Sequence, residues 1–312
     1  MIKIEHPDLN KLAIRHYQSI EDFFKKNKEL SIDTENEKMV KFFGEGYTFK
    51  SVLLATPIEM EELIENWGDK KDSDFDYYKK VYEKFSFGKS LKVQDEKGEQ
   101  IIYNALKLVN DLQMVVCPYC NRNFIYNTKR NEEEGEGRRT SQMDHFYPHA
   151  NFPFLAISFY NLIPSCSWCN FVKKDRWNTD SSNYVIHPYD SRFDFDVNFI
   201  VKVLDAKFYY KTKSLEIEFQ KDLSQRVENH IEAFHLKDLY AQHTDYALEL
   251  IQKKYAYSES YIDSLFKQYE GALFKNREDI LRFVTSNFVG EENLSKRPLS
   301  KLTRDIVRQL DL

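Results

Sequence analysis

The four cysteines of the sequence are arranged in two C-x-x-C pairs. Cys117 and Cys120 form the first pair, and Cys166 and Cys169 form the second. The residues after Met1 lack the apolar run of a signal peptide, so we expect reduced thiols that are available to a metal rather than disulfides. Four thiolates at this spacing close a tetrahedral zinc site. The sequence therefore predicts one structural zinc ion.

An acidic residue, a histidine and two asparagines lie between these pairs or directly after the second pair. Asp144 offers a carboxylate to a divalent cation, and His145 has the side chain whose ordinary pKa suits a general base near neutrality. Asn161 follows, and Asn170 comes directly after Cys169, where a bound zinc would preorganise it. Together these side chains can hold a hard metal ion and activate a water. Taken separately, Asn170 is more simply a helix cap and Asn161 a turn residue, and it is their arrangement with Asp144 and His145 that favours a metal site.

Four more side chains are candidates for the same site. Lys173 and Lys174 are possible phosphate contacts, because they follow the second cysteine pair closely. His149 is either a turn residue or a further phosphate contact. His187 has either a structural role or a position facing the metal.

Composition limits the class of protein. The 312 residues are 42% apolar and 30% charged, with a mean hydropathy of -0.62. No apolar run approaches the ~20 residues of a membrane span, so we expect a cytoplasmic protein without membrane segments. The net charge is -5, but residues 117–177 carry 8 Lys+Arg against 6 Asp+Glu, and both flanks are acidic. Nucleic acid is therefore expected to meet the middle of the chain.

The scarcity of glycine and proline, 9 and 8 residues, predicts a predominantly helical α+β fold. Thr56 and Glu59 form a capping box around Pro57, and a similar signal places a helix start at Ser19. Two more helices are expected at residues 77–82 and 101–109. Residues 121–126 alternate as a strand does, whereas the charged residues 127–141 are typical of a solvated loop.

Three strand-like runs after the second cysteine pair predict a small antiparallel sheet, at residues 199–203, 207–210 and 215–219. Helices follow, and one of them carries the apolar stripe Val227, Ile231 and Phe234. We therefore predict a helical region at 1–112, a core at 113–190, and a region at 191–312 that serves as scaffold or partner-docking surface.

The order C-x-x-C, Asp-His, Asn, C-x-x-C-Asn from Cys117 to Asp175 resembles that of HNH endonucleases with the ββα-metal fold. The resemblance implies that His145 is the general base and that the side-chain carbonyl of Asn161 orients it. It also implies that Asp144 and Asn170 hold the catalytic metal. Many members have His where Asn170 stands, and an oxygen ligand there favours Mg²⁺ or Mn²⁺.

Asp-His-x-Tyr-Pro followed by Ser-Phe-Tyr-Asn-Leu-Ile-Pro-Ser-Cys is also similar to the HNH subunits of Septu-like and retron-associated anti-phage systems. Those subunits pair with an SMC-like ATPase. The resemblance implies a metal-dependent, DNA-cleaving effector of antiviral defence that works with such a partner. Cleavage of RNA such as tRNA is an alternative, because a ββα-metal site carries no base readout. A non-catalytic zinc module that binds nucleic acid, or a regulatory subunit, is another.

Overall fold

A computed structural model describes residues 1–27, 31–68, 73–94, 98–131, 136–192 and 197–311. This part of the chain is an α+β fold, about half helical, with small two-stranded antiparallel sheets. The predicted α+β class is thereby confirmed. The contacts divide the chain into two compact units. The N-terminal unit comprises Lys3–Met114 and Ile125–Phe193, and the C-terminal unit comprises Met1–Ile2, Val115–Phe124 and Asp194–Leu312. The division into domains at 1–112, 113–190 and 191–312 stays a prediction.

The N-terminal unit contains seven α-helices and six strands within its described residues. The helices are α1 Leu9–Lys26, α2 Ile32–Phe43, α3 Phe49–Leu53, α4 Pro57–Trp67, α5 Asp76–Phe87, α6 Ala105–Asp111 and α7 Ser167–Lys173. The strands are β1 Lys92–Gln94, β2 Gln100–Ile102, β3 Asn127–Asn131, β4 Glu136–Arg139, β5 Gln142–His145 and β6 Leu162–Ser165, and they pair as β1–β2, β3–β4 and β5–β6.

Helix α4 confirms the predicted capping box. The Thr56 side chain accepts a hydrogen bond from the Glu59 amide, and Glu59 Oε2 lies 2.7 Å from the Thr56 amide nitrogen. The helix start predicted at Ser19 is wrong, because α1 already begins at Leu9. Ser19 is buried within α1, where its hydroxyl donates to the His16 carbonyl at 2.7 Å. The apolar face of α1 begins at Leu12, upstream of the polar signal.

Residues 127–141 differ from the predicted loop, since β3 and β4 form an antiparallel hairpin there. A Cβ at Gly137 would lie 2.2 Å from the Thr128 carbonyl oxygen, so the close approach of the two strands requires glycine. Residues 132–135 of the predicted loop lie outside the described residues. The strand predicted at 121–126 is reduced to one bridge between Val116 and Phe124. The helix expected from residue 101 begins only at Ala105, because residues 101–102 belong to β2.

The C-terminal unit has one described sheet, in which β7 Phe199–Val203 pairs with β8 Leu215–Phe219. This confirms two of the three predicted strands; residues 207–210 form a turn instead. Six α-helices follow, α8 Gln225–Ala233, α9 Leu236–Ala241, α10 Thr244–Ala256, α11 Glu259–Tyr269, α12 Arg277–Thr285 and α13 Ser300–Leu310. Val227 and Phe234 are buried. The predicted docking stripe therefore belongs mainly to the core of this unit.

Among the described residues, no helix combines the length and apolar character needed to cross a bilayer.

Candidate metal centre and catalytic pair

The four cysteines form one buried cluster, in which every sulfur lies within 4.8 Å of the others. None of the four forms a disulfide bond. Four thiolates bound to one zinc ion at about 2.3 Å lie roughly 3.8 Å apart, so this cluster is compatible with zinc binding. The geometry therefore agrees with the predicted role of the four cysteines as metal ligands, which are Cys117, Cys120, Cys166 and Cys169.

The first cysteine pair lies in a tight turn of the C-terminal unit. The Cys117 amide donates to the Asn123 carbonyl at 3.0 Å, and the Asn121 amide donates to the Cys117 carbonyl at 2.9 Å. Asn121 has a φ of 48°, a conformation that asparagine tolerates better than most residues. The Arg122 amide lies 3.4 Å from the Cys120 sulfur. This amide would stabilise a thiolate at Cys120.

The second cysteine pair begins α7. Cys166 is the N-cap residue, and its sulfur accepts a hydrogen bond from the Cys169 amide at 3.5 Å. Helix α7 follows β6, which pairs with β5 so that Asp144 lies opposite Ile163 and His145 opposite Leu162. An antiparallel strand pair followed by a helix therefore carries Asp144 and His145 on its first strand and Asn170 on its helix.

Asp144 is bound to a buried lysine. The Lys173 ammonium lies 3.2 Å from Asp144 Oδ1 and 3.1 Å from Oδ2, and it donates to the His145 carbonyl at 2.8 Å. Lys173 is 0% exposed and Asp144 5%. The prediction of Lys173 as a phosphate contact is therefore wrong, because the ammonium is buried against Asp144. Lys174 is exposed, with its ammonium 4.4 Å from the centre of the Phe171 ring.

Asn170 is the second predicted ligand of the catalytic metal. It lies three residues before Lys173 on α7, so the two side chains share a helix face. Since Lys173 reaches Asp144 on β5, this face of α7 is directed towards β5. The half-buried side-chain amide of Asn170 makes no hydrogen bond to the described residues. The side-chain oxygen Oδ1 is therefore available to a ligand.

His145 is held in one tautomer by a backbone carbonyl. Its Nε2 lies 2.8 Å from the Ala156 oxygen. A carbonyl oxygen only accepts, so Nε2 carries the hydrogen and Nδ1 of the neutral ring carries the lone pair. Burial lowers the pKa of His145 to about 3, and the nearby charges of His149 and Lys173 also lower it. The ring is therefore neutral at pH 7, with its lone pair on Nδ1.

Two aromatic side chains flank the His145 ring. The centre of the Tyr82 ring lies 4.3 Å from that of His145, and the centre of the His149 ring lies 4.8 Å away. The Tyr82 hydroxyl donates to the Met143 carbonyl at 2.9 Å, which anchors it to β5. Burial also lowers the pKa of His149, and the negative charge of Asp175 offsets part of this effect by raising it. Sequence analysis did not identify Tyr82, because nothing near it in sequence marks a contact with β5.

Asn161 does not orient His145 directly. Its buried Oδ1 accepts from the Tyr147 amide at 2.7 Å, while Nδ2 donates to the carbonyls of Tyr147 at 3.1 Å and Leu155 at 3.0 Å. The predicted hydrogen bond to His145 is therefore replaced by the Ala156 carbonyl. Asn161 acts one step away, because it fixes Leu155, the neighbour of Ala156, and the chain that follows His145.

His187 belongs to an aromatic cluster. It is 0% exposed, its ring centre lies 4.0 Å from that of Phe146, and its Nδ1 accepts from the Tyr189 amide at 3.2 Å. These contacts agree with the structural alternative for His187.

Comparison with known proteins adds one partial similarity. No family model matches the chain, and no solved structure matches it. Protein ea31 of Escherichia phage lambda is 31% identical to the chain over 93 residues, which cover 30% of this chain and 26% of that protein. The chain thus spans about a quarter of the length of the curated relative that it matches.

Proposed function

We propose that this protein is a metal-dependent HNH endonuclease that hydrolyses phosphodiester bonds of nucleic acid, with DNA as the favoured substrate. The observation that carries the proposal is the orientation of the His145 ring, whose Nε2–H donates to the Ala156 carbonyl and leaves the lone pair on Nδ1. This ring lies beside Asp144 on the first strand of a strand–strand–helix arrangement. The arrangement supports the ββα-metal core that the sequence resemblance implies.

The steps assigned to the chain's own residues follow from this geometry. His145 Nδ1 takes the proton of the attacking water, while the Nε2 hydrogen remains on the ring and is donated to the Ala156 carbonyl. Tyr82 and His149 keep the ring from rotating, since they pack on it. Asn161 maintains the position of the Ala156 segment through its bond to Leu155. Each contribution acts on the orientation or the protonation of a single imidazole.

Asp144 and Asn170 would hold the catalytic cation. A carboxylate and an amide oxygen are the donors that Mg²⁺ and Mn²⁺ accept, so the residues fit such an ion. The Lys173 ammonium at Asp144 shows that this carboxylate attracts a cation. A divalent ion bound there would compete with Lys173 and would neutralise charge on the leaving oxygen.

The four-cysteine cluster is assigned a structural zinc. It brings together two segments that are far apart in sequence, the turn at Cys117–Cys120 and the start of α7 at Cys166–Cys169. A metal bound there orders α7 and with it Asn170, which directly follows Cys169. The zinc therefore contributes to folding, while the proposed chemistry takes place at His145.

We further propose that the nuclease is the effector of an anti-phage complex with an SMC-like ATPase. Support comes from the sequence resemblance and from the acidic flanks, which leave a partner to supply basic surface. Since Val227 and Phe234 are buried, another surface must dock the ATPase. Recovery of a stoichiometric ATPase with the native protein is the expected result, and recovery of a fully active monomer would contradict it.

One observation favours a non-catalytic alternative. The Lys173 ammonium neutralises Asp144 in a fully buried pair, and a carboxylate that remains so paired cannot bind a divalent ion. In this alternative the zinc cluster and the surrounding fold bind nucleic acid without cleaving it.

The deciding experiment incubates purified protein with plasmid DNA and with total tRNA, each in Mg²⁺, Mn²⁺ or EDTA. Cleavage in Mg²⁺ or Mn²⁺ but not in EDTA is expected. His145→Ala should lower the rate by about 10²–10⁴ without unfolding, as loss of a general base does. Asn170→Ala should be partly rescued by a higher Mn²⁺ concentration, whereas His145→Ala should not. Binding without cleavage under every condition would establish the non-catalytic alternative.

A further inference from the structure

The N-terminal unit contains a cavity of about 540 Å³ that the proposed chemistry does not use. The end of α5, the start of α6 and the segment joining β4 to β5 line it. Among the described residues that line it, three are cationic and none is acidic, although the whole chain carries a net charge of -5. The lining residues used below are Ser86, Phe87, Lys89, Arg138, Arg139 and Ser141.

Arg139 has no carboxylate partner within the described part of the chain. Its Nη2 donates to Ser86 Oγ at 3.0 Å, while Nη1 is shielded from solvent and makes no hydrogen bond there. Ser141 is 2% exposed, and its hydroxyl likewise makes none. A shielded guanidinium without an anion is unfavourable, because charge has lost water without gaining a partner. An anion in the cavity would provide that partner.

Phe87 adds a second kind of contact. It is 83% exposed, far more than an apolar side chain at the end of a helix needs to be. The Arg139 Cζ lies 5.9 Å from the centre of its ring. An exposed aromatic ring beside cationic side chains is the combination on which unpaired nucleobases stack while the cations contact the backbone.

Tyr82 connects this cavity with the catalytic pair. Its ring packs on His145, and its hydroxyl donates to the Met143 carbonyl. Tyr82 also lies near the cavity residues Ser86 and Arg139, since burial raises the pKa of Tyr82 while these two neighbours lower it. A single aromatic side chain thus separates His145 from the residues that line the cavity.

We propose that this cavity binds one nucleotide of a single-stranded segment of the substrate, next to the phosphodiester that is cleaved. Arg139 binds its phosphate, with Lys89 and Arg138 contributing at the rim, and Phe87 stacks on its base. The volume lies within the range of small-molecule pockets, which suits a nucleotide. The placement beside the cleaved bond rests on the proposed nuclease function, whereas the binding of an unpaired nucleotide does not.

The test measures binding of a fluorescent single-stranded DNA oligonucleotide to the full chain by anisotropy in buffer without added Mg²⁺ or Mn²⁺. Phe87→Ala should weaken binding about fivefold or more, as loss of one stacked base does. Phe283→Ala removes a ring that is 64% exposed in the C-terminal unit and should not change the affinity. Arg139→Gln should weaken binding about tenfold and reduce the salt slope by about one ion. Phe87 is exposed, so its variant remains informative even if Arg139→Gln lowers the melting temperature.

Competition distinguishes a nucleotide from an anion alone. A nucleoside monophosphate should displace the oligonucleotide from the wild type at lower concentration than inorganic phosphate, and Phe87→Ala should remove that difference. Equal competition by both, or wild-type affinity in Phe87→Ala and Arg139→Gln, would overturn the inference. Binding that depends on Phe87 without any cleavage would leave the inference standing and overturn only the proposed nuclease. Normal cleavage with unchanged binding in both variants would overturn the inference and leave the proposed nuclease standing.

Discussion

The Lys173 ammonium lies 3.2 Å from Asp144 Oδ1, and both side chains are buried. This pair joins the last residue of α7 to the strand that carries His145, and the same ammonium donates to the His145 carbonyl. Lysine and a divalent ion require the same carboxylate. The proposed catalytic metal site and the fold are therefore linked through Asp144.

Lys173→Gln should raise the affinity of the protein for Mn²⁺ at least about tenfold, because the competing ammonium is removed. The same change should lower the free energy of unfolding by about 3–5 kcal/mol without metal, since the buried Asp144 loses its ammonium partner. Mn²⁺ titration followed by electron paramagnetic resonance and urea denaturation measure the two effects. Lys174→Gln alters an exposed neighbour and should change neither. Equal Mn²⁺ affinity in both variants would show that Lys173 does not compete with the ion.

The purified protein should contain about one zinc ion per chain, bound to the four clustered thiols. Cys166→Ala should reduce the zinc content, melting temperature and solubility together, because three thiols no longer close the site. Ser167→Ala, a change at the exposed neighbour on α7, should behave as wild type. Elemental analysis and thermal denaturation check this prediction, and a folded, active protein without zinc would contradict it.

Asn161→Ala should lower the free energy of unfolding by on the order of 3 kcal/mol, because it removes three hydrogen bonds to the buried backbone of Tyr147 and Leu155; the Leu155 carbonyl keeps the bond from the Ser158 amide. Asn161→Asp keeps the acceptor for the Tyr147 amide and should lose less. Asn170→Ala removes an amide without hydrogen bonds to the described residues and should leave stability nearly unchanged. Urea denaturation ranks the three variants. If Asn161→Ala proved as stable as Asn170→Ala, the scaffold role of Asn161 would be wrong.

Acid should destabilise the N-terminal unit through His16. This histidine is 0% exposed between Tyr103 and the Ile157 carbonyl, and burial lowers its pKa from 6.5 to about 4. Between these values the unfolded chain binds a proton that the folded chain does not, so stability falls as the pH drops from about 6.5 to 4. The full effect is about 3 kcal/mol at about 1.4 kcal/mol per pKa unit.

One variant isolates this contribution. His16→Gln should show a shallower loss of stability between pH 6.5 and 4 than the wild type, because it removes the buried imidazole. Urea denaturation at a series of pH values gives the slopes. Parallel curves for His16→Gln and the wild type would show that His16 does not titrate on unfolding.

Local signals in the sequence predicted local structure well. The capping box at Thr56, the two cysteine pairs and the alternation in β7 and β8 depend on residues that lie close together along the chain. Contacts between distant segments left no such signal. Tyr82 reaches His145 from α5, and the Ala156 carbonyl replaces Asn161 as the partner of that ring. The sequence did not predict the burial of Lys173 either, because a lysine near the end of a helix is normally solvated.

The two hydrogen bonds between the Asn161 side chain and the Tyr147 backbone make this side chain a substitute for a peptide group. Strand β5 ends at His145. Two residues later, Oδ1 and Nδ2 of Asn161 bind the N–H and C=O of Tyr147 as a neighbouring strand would. The hydrogen-bond ladder of the sheet is thus extended by a side chain and not by a further strand residue. Glutamine is one methylene too long for this mimicry and aspartate has no donor, so only asparagine can terminate the ladder here. The Tyr147 amide hydrogen, although it lies outside any strand, should exchange with solvent as slowly as those within β5.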